Sequence, residues 1–236
     1  RHGDEPWMVL LQLARDGSAE ELKQFIRDSN IPPDTVEPGS GVTALCVATD
    51  AGKLENVKAL MELGAVVTRQ TTANGNNPAH FAARNGHLHI LKYFVENGLE
   101  ILSLRNAQGD SVVLQAAAAN RGDVLEWILQ IEQSVVGISK SKSRHSNNSS
   151  APNRLGTTPI MAAAGAGADA ALGVLLQSPS HRSTIESVDR RGFTALHLAA
   201  AAARPECVAR LLGCGASFRA RDRRGQTPLQ LAQALG

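Results

Sequence analysis

The chain has 236 residues and a formal net charge of +2, with 43% hydrophobic and 19% charged residues. This composition supplies enough apolar side chains for a packed core and excludes a chain that is disordered throughout. The charge is too close to neutral to favour nucleic acid as a partner, and no apolar run approaches the roughly 20 residues that span a bilayer. Aromatic residues make up only 3%, so Ala and Leu must supply most of the core, which favours closely packed helices.

A short motif recurs along the chain at nearly constant spacing. The intervals from Thr194 to Thr227 and from Thr43 to Asn77 are both about 33 residues. An upstream copy without a recognisable preceding turn is Val9–Ala14. The later copies are Gly41–Ala48, Gly75–Ala82, Gly109–Ala116, Gly156–Ala163, Asp189–Ala199 and Asp222–Ala232. The sequence therefore predicts seven similar structural units.

Each unit has the pattern of a turn followed by two helices. A Gly two residues before the Thr permits a left-handed turn, and the Thr is placed to cap the first helix. A second apolar series with spacing i, i+3, i+4 and i+7 follows, as in Leu54–Leu63 and Leu88–Val95. It stops at Gly64 in one unit and at Asn97 with Gly98 in the next, as a helix C-terminus does. Neither helix can bury its apolar face alone, so the units must stack.

The segment Thr194–Ala199 reads Thr-Ala-Leu-His-Leu-Ala and resembles the ankyrin-repeat signature T-P-L-H-x-A. The resemblance covers nearly the whole chain and implies an all-α ankyrin-repeat solenoid of stacked helix-turn-helix units with short β-hairpin-like turns. We expect a single repeat domain over residues 1–236 with a short capping unit first. The predicted repeats span residues 5–37, 38–71, 72–105, 106–132, 153–188, 189–221 and, in part, 222–236. Because the chain begins without Met and the last repeat lacks a second helix, we expect it to be part of a longer protein.

The fourth and fifth units are separated by extra residues, which we assign to a flexible Ser- and Lys-rich insertion at 133–152. Its centre, 139–150, is rich in Ser, Lys and Asn and is predicted to lie in solvent. One interpretation is a tolerated surface excursion, since the entropy of loop closure grows only slowly with length. The alternative is a regulated segment, because serines interleaved with Lys and Arg are candidates for phosphorylation.

Three features favour chemistry at first sight but fit the repeat register better. Residues 165–170 match a dinucleotide-binding fingerprint, yet the preceding segment is predicted to be a helix rather than the required strand. His80, His87 and His89 cluster, but the resemblance assigns His80 to a bond with a neighbouring turn, and no Cys or carboxylate completes a zinc site. We therefore expect no cofactor, no metal, no catalytic residue and no enzymatic activity.

The resemblance implies that partners contact the turn tips and the exposed side of the first helices. The last three turns carry an unusual number of arginines, beside an Ala- and Gly-rich floor, and Phe193 is predicted to be an exposed anchor. The candidate partner-binding residues are Arg154, Arg190, Arg191, Phe193, Arg223, Arg224, Arg84, Asn85 and Asp110. Guanidinium groups pair with carboxylates or phosphates. The alternative is a solvated face on which the arginines pair with Asp189 and Asp222.

These observations predict a protein-interaction scaffold that binds an acidic or phosphorylated protein segment. We expect a monomer in the cytoplasm, and also in the nucleus, that binds neither nucleic acid nor membrane. The odd number of cysteines, three, fits reduced thiols in such a compartment. Two alternatives remain open: a regulatory or targeting domain of a larger multidomain protein, and a gankyrin-like proteasome-assembly chaperone, which the short first unit and final Thr-Pro-Leu-Gln resemble.

Overall fold

The computed structural model describes residues 5–138 and 149–235. These residues contain fourteen α-helices, one 3-10 helix and, in place of strands, a single isolated β-bridge between Val36 and Thr43. The predicted all-α fold of stacked helix pairs is confirmed. The chain divides into two compact units, residues 1–107 and 108–236, which are treated separately below.

The first unit contains three helix pairs and the 3-10 helix. Its first, third and fifth helices pack side by side as an inner layer, and the second, fourth and sixth form an outer layer. The helices are α1 (Pro6–Asp16), α2 (Ala19–Ser29), α3 (Ala44–Asp50), α4 (Leu54–Glu62), α5 (Pro78–Asn85) and α6 (Leu88–Glu96), followed by the 3-10 helix Ile101–Ser103.

The second unit repeats this arrangement with one extra short helix. Four inner helices stack in chain order, and the outer helices pack behind them. The inner helices are α7 (Val112–Ala118), α9 (Pro159–Ala166), α12 (Ala195–Ala201) and α14 (Pro228–Leu235). The outer helices are α8 (Gly122–Ile138), α10 (Asp169–Gln177) and α13 (Pro205–Gly213), and the extra short helix is α11 (Pro179–Arg182).

Polar caps fix the start of the inner helices. The side chains of Thr43, Ser111, Thr158 and Thr194 each accept a hydrogen bond from the main-chain N–H three residues further on. Each such cap stabilises a helix by about 1 kcal/mol. The inner helices then bury small side chains; Ala163, for example, is completely inaccessible to solvent. Small side chains let neighbouring helices approach closely, which explains the alanine-rich composition.

The register histidine of the sixth repeat behaves as the resemblance implies. His197 is buried, and its Nδ1 lies 2.9 Å from the Thr194 hydroxyl, while its Nε2 lies 3.1 Å from the carbonyl oxygen of Gln226 in the next turn. The ring therefore ties one repeat to the next. Asn120, predicted to adopt a left-handed conformation in place of glycine, has φ = 58°.

The insertion differs from its predicted boundaries at both ends. Helix α8 continues to Ile138, well into the segment 133–152 that was expected to be a flexible loop. Ser149 and Ser150, near the other end, are buried. The centre of that segment, residues 139–148, lies outside the described residues. The structured ends come from packing against the second unit, which the polar composition of the segment did not indicate.

Candidate partner-binding surface

Successive turns of the second unit are joined edge to edge by main-chain hydrogen bonds. The N–H groups of Arg154 and Arg190 each donate over 2.9 Å, to the carbonyl oxygens of Gln108 and Leu155 respectively. The N–H of Arg223 donates to the carbonyl oxygen of Arg191 over 3.2 Å. The same backbone position thus carries an arginine on three consecutive turns.

An Asx turn shapes each of the arginine-bearing tips. One carboxylate oxygen of Asp189 accepts hydrogen bonds from the N–H groups of Arg191 and Phe193 at 2.8 and 2.9 Å. Asp222 holds the last turn in the same way, and the side-chain oxygen of Asn153 does so in the turn of Arg154. Short polar side chains at this position hydrogen-bond their own backbone two residues on.

Close approach between neighbouring turns explains the glycine at the tip. Gly192 has φ = 83°, a conformation that side chains rarely adopt. A Cβ atom added there would lie only 2.8 Å from the main-chain nitrogen of Arg223. A side chain at this position would therefore push the sixth and seventh turns apart.

Four of the predicted arginines present uncommitted side chains. Arg154, Arg190, Arg223 and Arg224 are exposed, and their guanidinium groups make no hydrogen bond or ion pair with any residue of the described ranges. The nearby carboxylates of Asp189 and Asp222 are buried and receive main-chain N–H groups. We call these four arginines the arginine rim. Its positive charge is not neutralised by the acidic residues of its own turns.

Two other predicted residues are engaged within their own turn. The Arg191 side chain donates to the Asp189 carboxylate at 3.0 Å, and its guanidinium lies 4.4 Å from the centre of the Phe193 ring. Phe193 is half-buried and stacks on the His197 ring, with centroids 5.8 Å apart. The expectation of an exposed aromatic anchor at Phe193 was therefore wrong, because the ring is covered from both faces. Arg191 follows the alternative interpretation, in which arginine pairs with aspartate.

The remaining predicted residues make structural contacts. Asp110 accepts hydrogen bonds from the side-chain amides of Asn153 and Gln115, at 2.7 and 3.1 Å. In the first unit, Arg84 and Asn85 both donate to the Asp50 carboxylate, at 3.1 and 2.8 Å. The structure does not bring these two residues into the arginine rim.

Leu155 is an exposed apolar residue at the tip that was not among the predicted site residues. Its side chain is 54% exposed, beside Arg154 on the fifth turn. The sequence placed Leu155 at a turn tip, and an apolar residue at such a position was the available signal. An apolar contact next to a guanidinium is typical of protein-binding surfaces.

A buried polar cluster also escaped the sequence analysis. The Ser149 hydroxyl donates to Glu132 at 2.8 Å and lies 3.3 Å from Nε2 of His181, whose Nδ1 faces the hydroxyls of Ser178 and Ser180 at 3.2 and 3.3 Å. Burial lowers the pKa of His181 to about 4, so the ring is neutral at pH 7. Since the serine proton is directed at the carboxylate, the imidazole Nε2 carries the other proton of this contact and cannot act as a base towards Ser149.

The cluster therefore anchors the chain rather than forming a nucleophile–base–acid relay. In such a relay the carboxylate orients the imidazole, whereas here Glu132 contacts the serine instead. Burial raises the pKa of Glu132, and one of its carboxylate oxygens has no hydrogen-bond partner among the described residues. Ser149 is thereby fixed between α8 and α11.

The described residues contain no group of three or more His, Cys, Asp or Glu side chains arranged to hold a metal ion. Within 5–138 and 149–235, none of the helices combines the length and apolarity that crossing a bilayer requires. The three cysteines are unpaired thiols, and burial raises the pKa of Cys46.

A stack of capped helix pairs with joined turns defines a repeat protein that presents a recognition surface. A family model for ankyrin repeats in many copies matches residues 45–95, and a model for three copies matches residues 114–222. The chain belongs to the ankyrin-repeat family, and ankyrin repeats are protein-interaction modules.

Similar proteins carry such repeats in different settings. Protein phosphatase 1 regulatory subunit 27 of Mus musculus is 34% identical over 93 residues, which make up 39% of this chain and 59% of that protein. A probable E3 ubiquitin-protein ligase of Oryza sativa subsp. japonica is 33% identical over 97 residues, 41% of this chain and 19% of the ligase. Transient receptor potential cation channel subfamily A member 1 of Homo sapiens is 24% identical over 204 residues, 84% of this chain and 17% of the channel. The matches thus span between 17% and 59% of these relatives.

Proposed function

We propose that the chain binds an acidic or phosphorylated segment of a protein partner through the arginine rim. The observation that carries this proposal is the contrast between exposed guanidinium groups without a partner in the described ranges and the buried carboxylates of Asp189 and Asp222. A guanidinium presents two parallel N–H groups that match the oxygens of a carboxylate or phosphate. Its side chain is also less strongly hydrated than that of lysine, which lowers the cost of contact.

The backbone of the turns supports the same proposal. Because the main-chain bonds of Arg154, Arg190 and Arg223 join each turn to the one before it, the three side chains start from a fixed ladder. Binding then orders the side chains but not the loops, which reduces the entropic cost of association. An extended segment with several negative charges fits such a ladder.

The test uses fluorescence polarisation with three labelled peptides: one with phosphoserines among glutamates, its unphosphorylated form, and a lysine-rich peptide. The rim variant R154E/R190E/R223E is compared with R15E/R27E/R69E, which reverses three exposed arginines of the first unit. We expect both acidic peptides to bind the wild type and the control variant, and to bind the rim variant at least about tenfold more weakly. Affinity should fall as salt rises. Equal affinity of the rim and control variants for these peptides would refute the proposal.

We further propose that the repeats serve as a non-catalytic regulatory or targeting module. The relatives that favour this role are named a regulatory subunit, a ubiquitin ligase and an ion channel, and the matching repeats form only part of each. A ubiquitin-transfer assay with purified chain, activating enzyme and conjugating enzymes checks it. We expect no ubiquitin chains, and chain formation that depends on this protein would contradict a non-catalytic role.

A further inference from the structure

The second and sixth repeats can be compared position by position. Thr43 and Thr194 both cap an inner helix. The offset between these two residues equals the offset between Gly64 and Gly215 at the end of the outer helix, so no insertion separates the two repeats. Any difference in burial at matching positions therefore reports what covers each repeat.

Matching positions are buried in the second repeat and exposed in the sixth. Val67 is 5% exposed, whereas its counterpart Phe218 is 63% exposed. Val57 is fully buried, and its counterpart Val208 is partly exposed. A large aromatic side chain in water is the informative exception to the general rule that such residues are buried.

A helix covers the second repeat on this side. In the first unit, α4 packs against the next outer helix, α6. That helix buries Ile90, Leu91 and Phe94, which follow the spacing i, i+1 and i+4 on one face. In the second unit α13 has no such neighbour among the described residues, because α14 is an inner helix.

The uncovered side of the sixth repeat forms a groove of about 420 Å³. Its lining is almost entirely apolar. The main apolar contributors are Leu196, Val208, Leu212, Phe218, Pro228 and Leu229. The groove continues over Ala200, Val208 and Leu212 into a second depression that includes Arg204. We call this continuous surface the terminal groove.

The charge at the terminal groove is positive. Its lining includes Arg204 and Arg219 and no Asp or Glu of the described ranges. The Arg219 guanidinium lies 5.3 Å from the centre of the Phe218 ring, directly beside the most exposed apolar side chain of the lining apart from Leu229. An apolar occupant with acidic flanks would complement both the floor and the edge.

The centre of the insertion is not a suitable occupant. Residues 139–148 contain only Ser, Lys, Arg, His and Asn, so they offer no apolar side chain for the terminal groove. The other residues outside the described ranges, 1–4 and 236, are too few to supply an outer helix.

We propose that the terminal groove binds an acidic amphipathic α-helix of a partner protein. The helix occupies the place that α6 takes on the second repeat, with apolar residues at i, i+3 or i+4, and i+7 facing Val208, Leu212 and Phe218. Its acidic residues meet Arg204 and Arg219. This inference does not depend on the arginine rim, whose residues do not line the terminal groove.

The probe is a labelled, lactam-bridged helical peptide with Leu at those positions and Glu on the remaining surface. A second peptide carries Lys in place of each Glu. The groove variant L212Q/F218Q/L229Q is compared with M8Q/V66Q/V188Q, which changes three exposed apolar residues elsewhere. Neutral glutamine removes apolar contact without changing net charge, and circular dichroism melting checks that both variants remain folded.

We expect the acidic helix to bind the wild type and the control variant, and to bind the groove variant at least about tenfold more weakly. The lysine peptide should bind the wild type at least about tenfold more weakly than the acidic peptide. The rim variant should retain the acidic helix, which separates a failure of this inference from a failure of the rim proposal. Absence of binding, equal binding by the groove variant, or equal binding of the lysine peptide would overturn the inference. So would a concentration-dependent dimer in sedimentation that the groove variant abolishes, because the occupant would then be a second copy.

Discussion

The buried carboxylate of Asp189 binds Arg191 twice: one oxygen accepts its main-chain N–H at 2.8 Å, and the other accepts its guanidinium at 3.0 Å. The first contact shapes the turn, and the second withdraws one arginine from the partner-binding surface. The two contacts can be separated by substitution, because the main-chain contact needs only an acceptor oxygen, whereas the ion pair needs the charge.

Asp189→Ala should destabilise the protein by about 1–3 kcal/mol, the usual cost of leaving buried donors unpaired. The substitution leaves the N–H groups of Arg191 and Phe193 without their acceptor in a partly buried turn. Asp189→Asn retains one side-chain oxygen, as Asn153 does in the fifth turn, and should cost less than about 1 kcal/mol. Urea unfolding followed by circular dichroism measures both. A similar loss in the two variants would show that the ion pair, rather than the turn, is the stabilising contact.

Asn56→Ala should destabilise the first unit by about 2 kcal/mol, because it removes a buried donor from two carbonyl groups. The side-chain amide of Asn56 donates to the carbonyl oxygens of Ala14 and Gly17, both at 3.0 Å, where helix α1 ends. Carbonyl groups at a helix C-terminus lack partners within the helix, so their burial without a donor is costly. The control is Asn97→Ala, since Asn97 donates to a similar carbonyl at an exposed helix end where water can replace it. Equal losses in urea unfolding would contradict a role for burial.

Acidification should weaken the second unit through His181. Burial lowers the pKa of His181 from 6.5 to about 4, so the unfolded chain binds more protons than the folded chain between these two values. The stability that neutral His181 confers is complete above about pH 6.5 and is lost as the pH falls, by up to about 3 kcal/mol. Urea titrations at pH 7, 6 and 5 measure the effect. His181→Gln is the comparison, and a pH dependence unchanged by that substitution would assign it to other groups.

Glu132→Gln should act in the opposite direction. Burial raises the pKa of Glu132, so deprotonation above its ordinary value of 4.5 is more costly in the folded state than in the unfolded state. The glutamine carries no charge and retains an oxygen that can accept from the Ser149 hydroxyl. We expect the variant to be more stable than the wild type at pH 7, with a difference that shrinks as the pH falls towards that ordinary value. Lower stability at pH 7 would show that the charged hydrogen bond outweighs desolvation.

The turn register was predictable because it follows from spacing. The glycine before each capping residue and the following apolar positions place Arg154, Arg190 and Arg223 at one backbone position without any knowledge of tertiary contacts. Local rules of this kind depend only on neighbours in the chain, so a single sequence is sufficient to apply them.

Features that depend on distant residues were not predictable in the same way. Ser149 looked like part of a polar loop, and its burial depends on His181, which is remote in the sequence. Phe193 looked like an exposed anchor, but its ring is covered by Arg191 and His197 through rotamers that spacing does not specify. The terminal groove also emerged only when the burial of matching positions was compared.

Ala203→Gly should stabilise the protein by about 1 kcal/mol through relief of backbone strain. Ala203 adopts φ = 51° between α12 and α13, a left-handed conformation that costs a residue with a Cβ atom about 1–2 kcal/mol. Its counterpart in the second repeat is Gly52, with φ = 72°. Relief of strain should exceed the entropy that glycine adds to the unfolded chain.

The reverse substitution, Gly52→Ala, should be more harmful than the strain alone. A Cβ atom at Gly52 would approach the His87 ring to 2.7 Å, and that ring lies 2.9 Å from the carbonyl oxygen of Asp50. The substitution should therefore cost more than about 2 kcal/mol, because it adds a steric clash to the backbone strain. Thermal and urea unfolding of both variants test the pair. Destabilisation by Ala203→Gly would mean that the alanine methyl group contributes packing that outweighs the strain of its backbone.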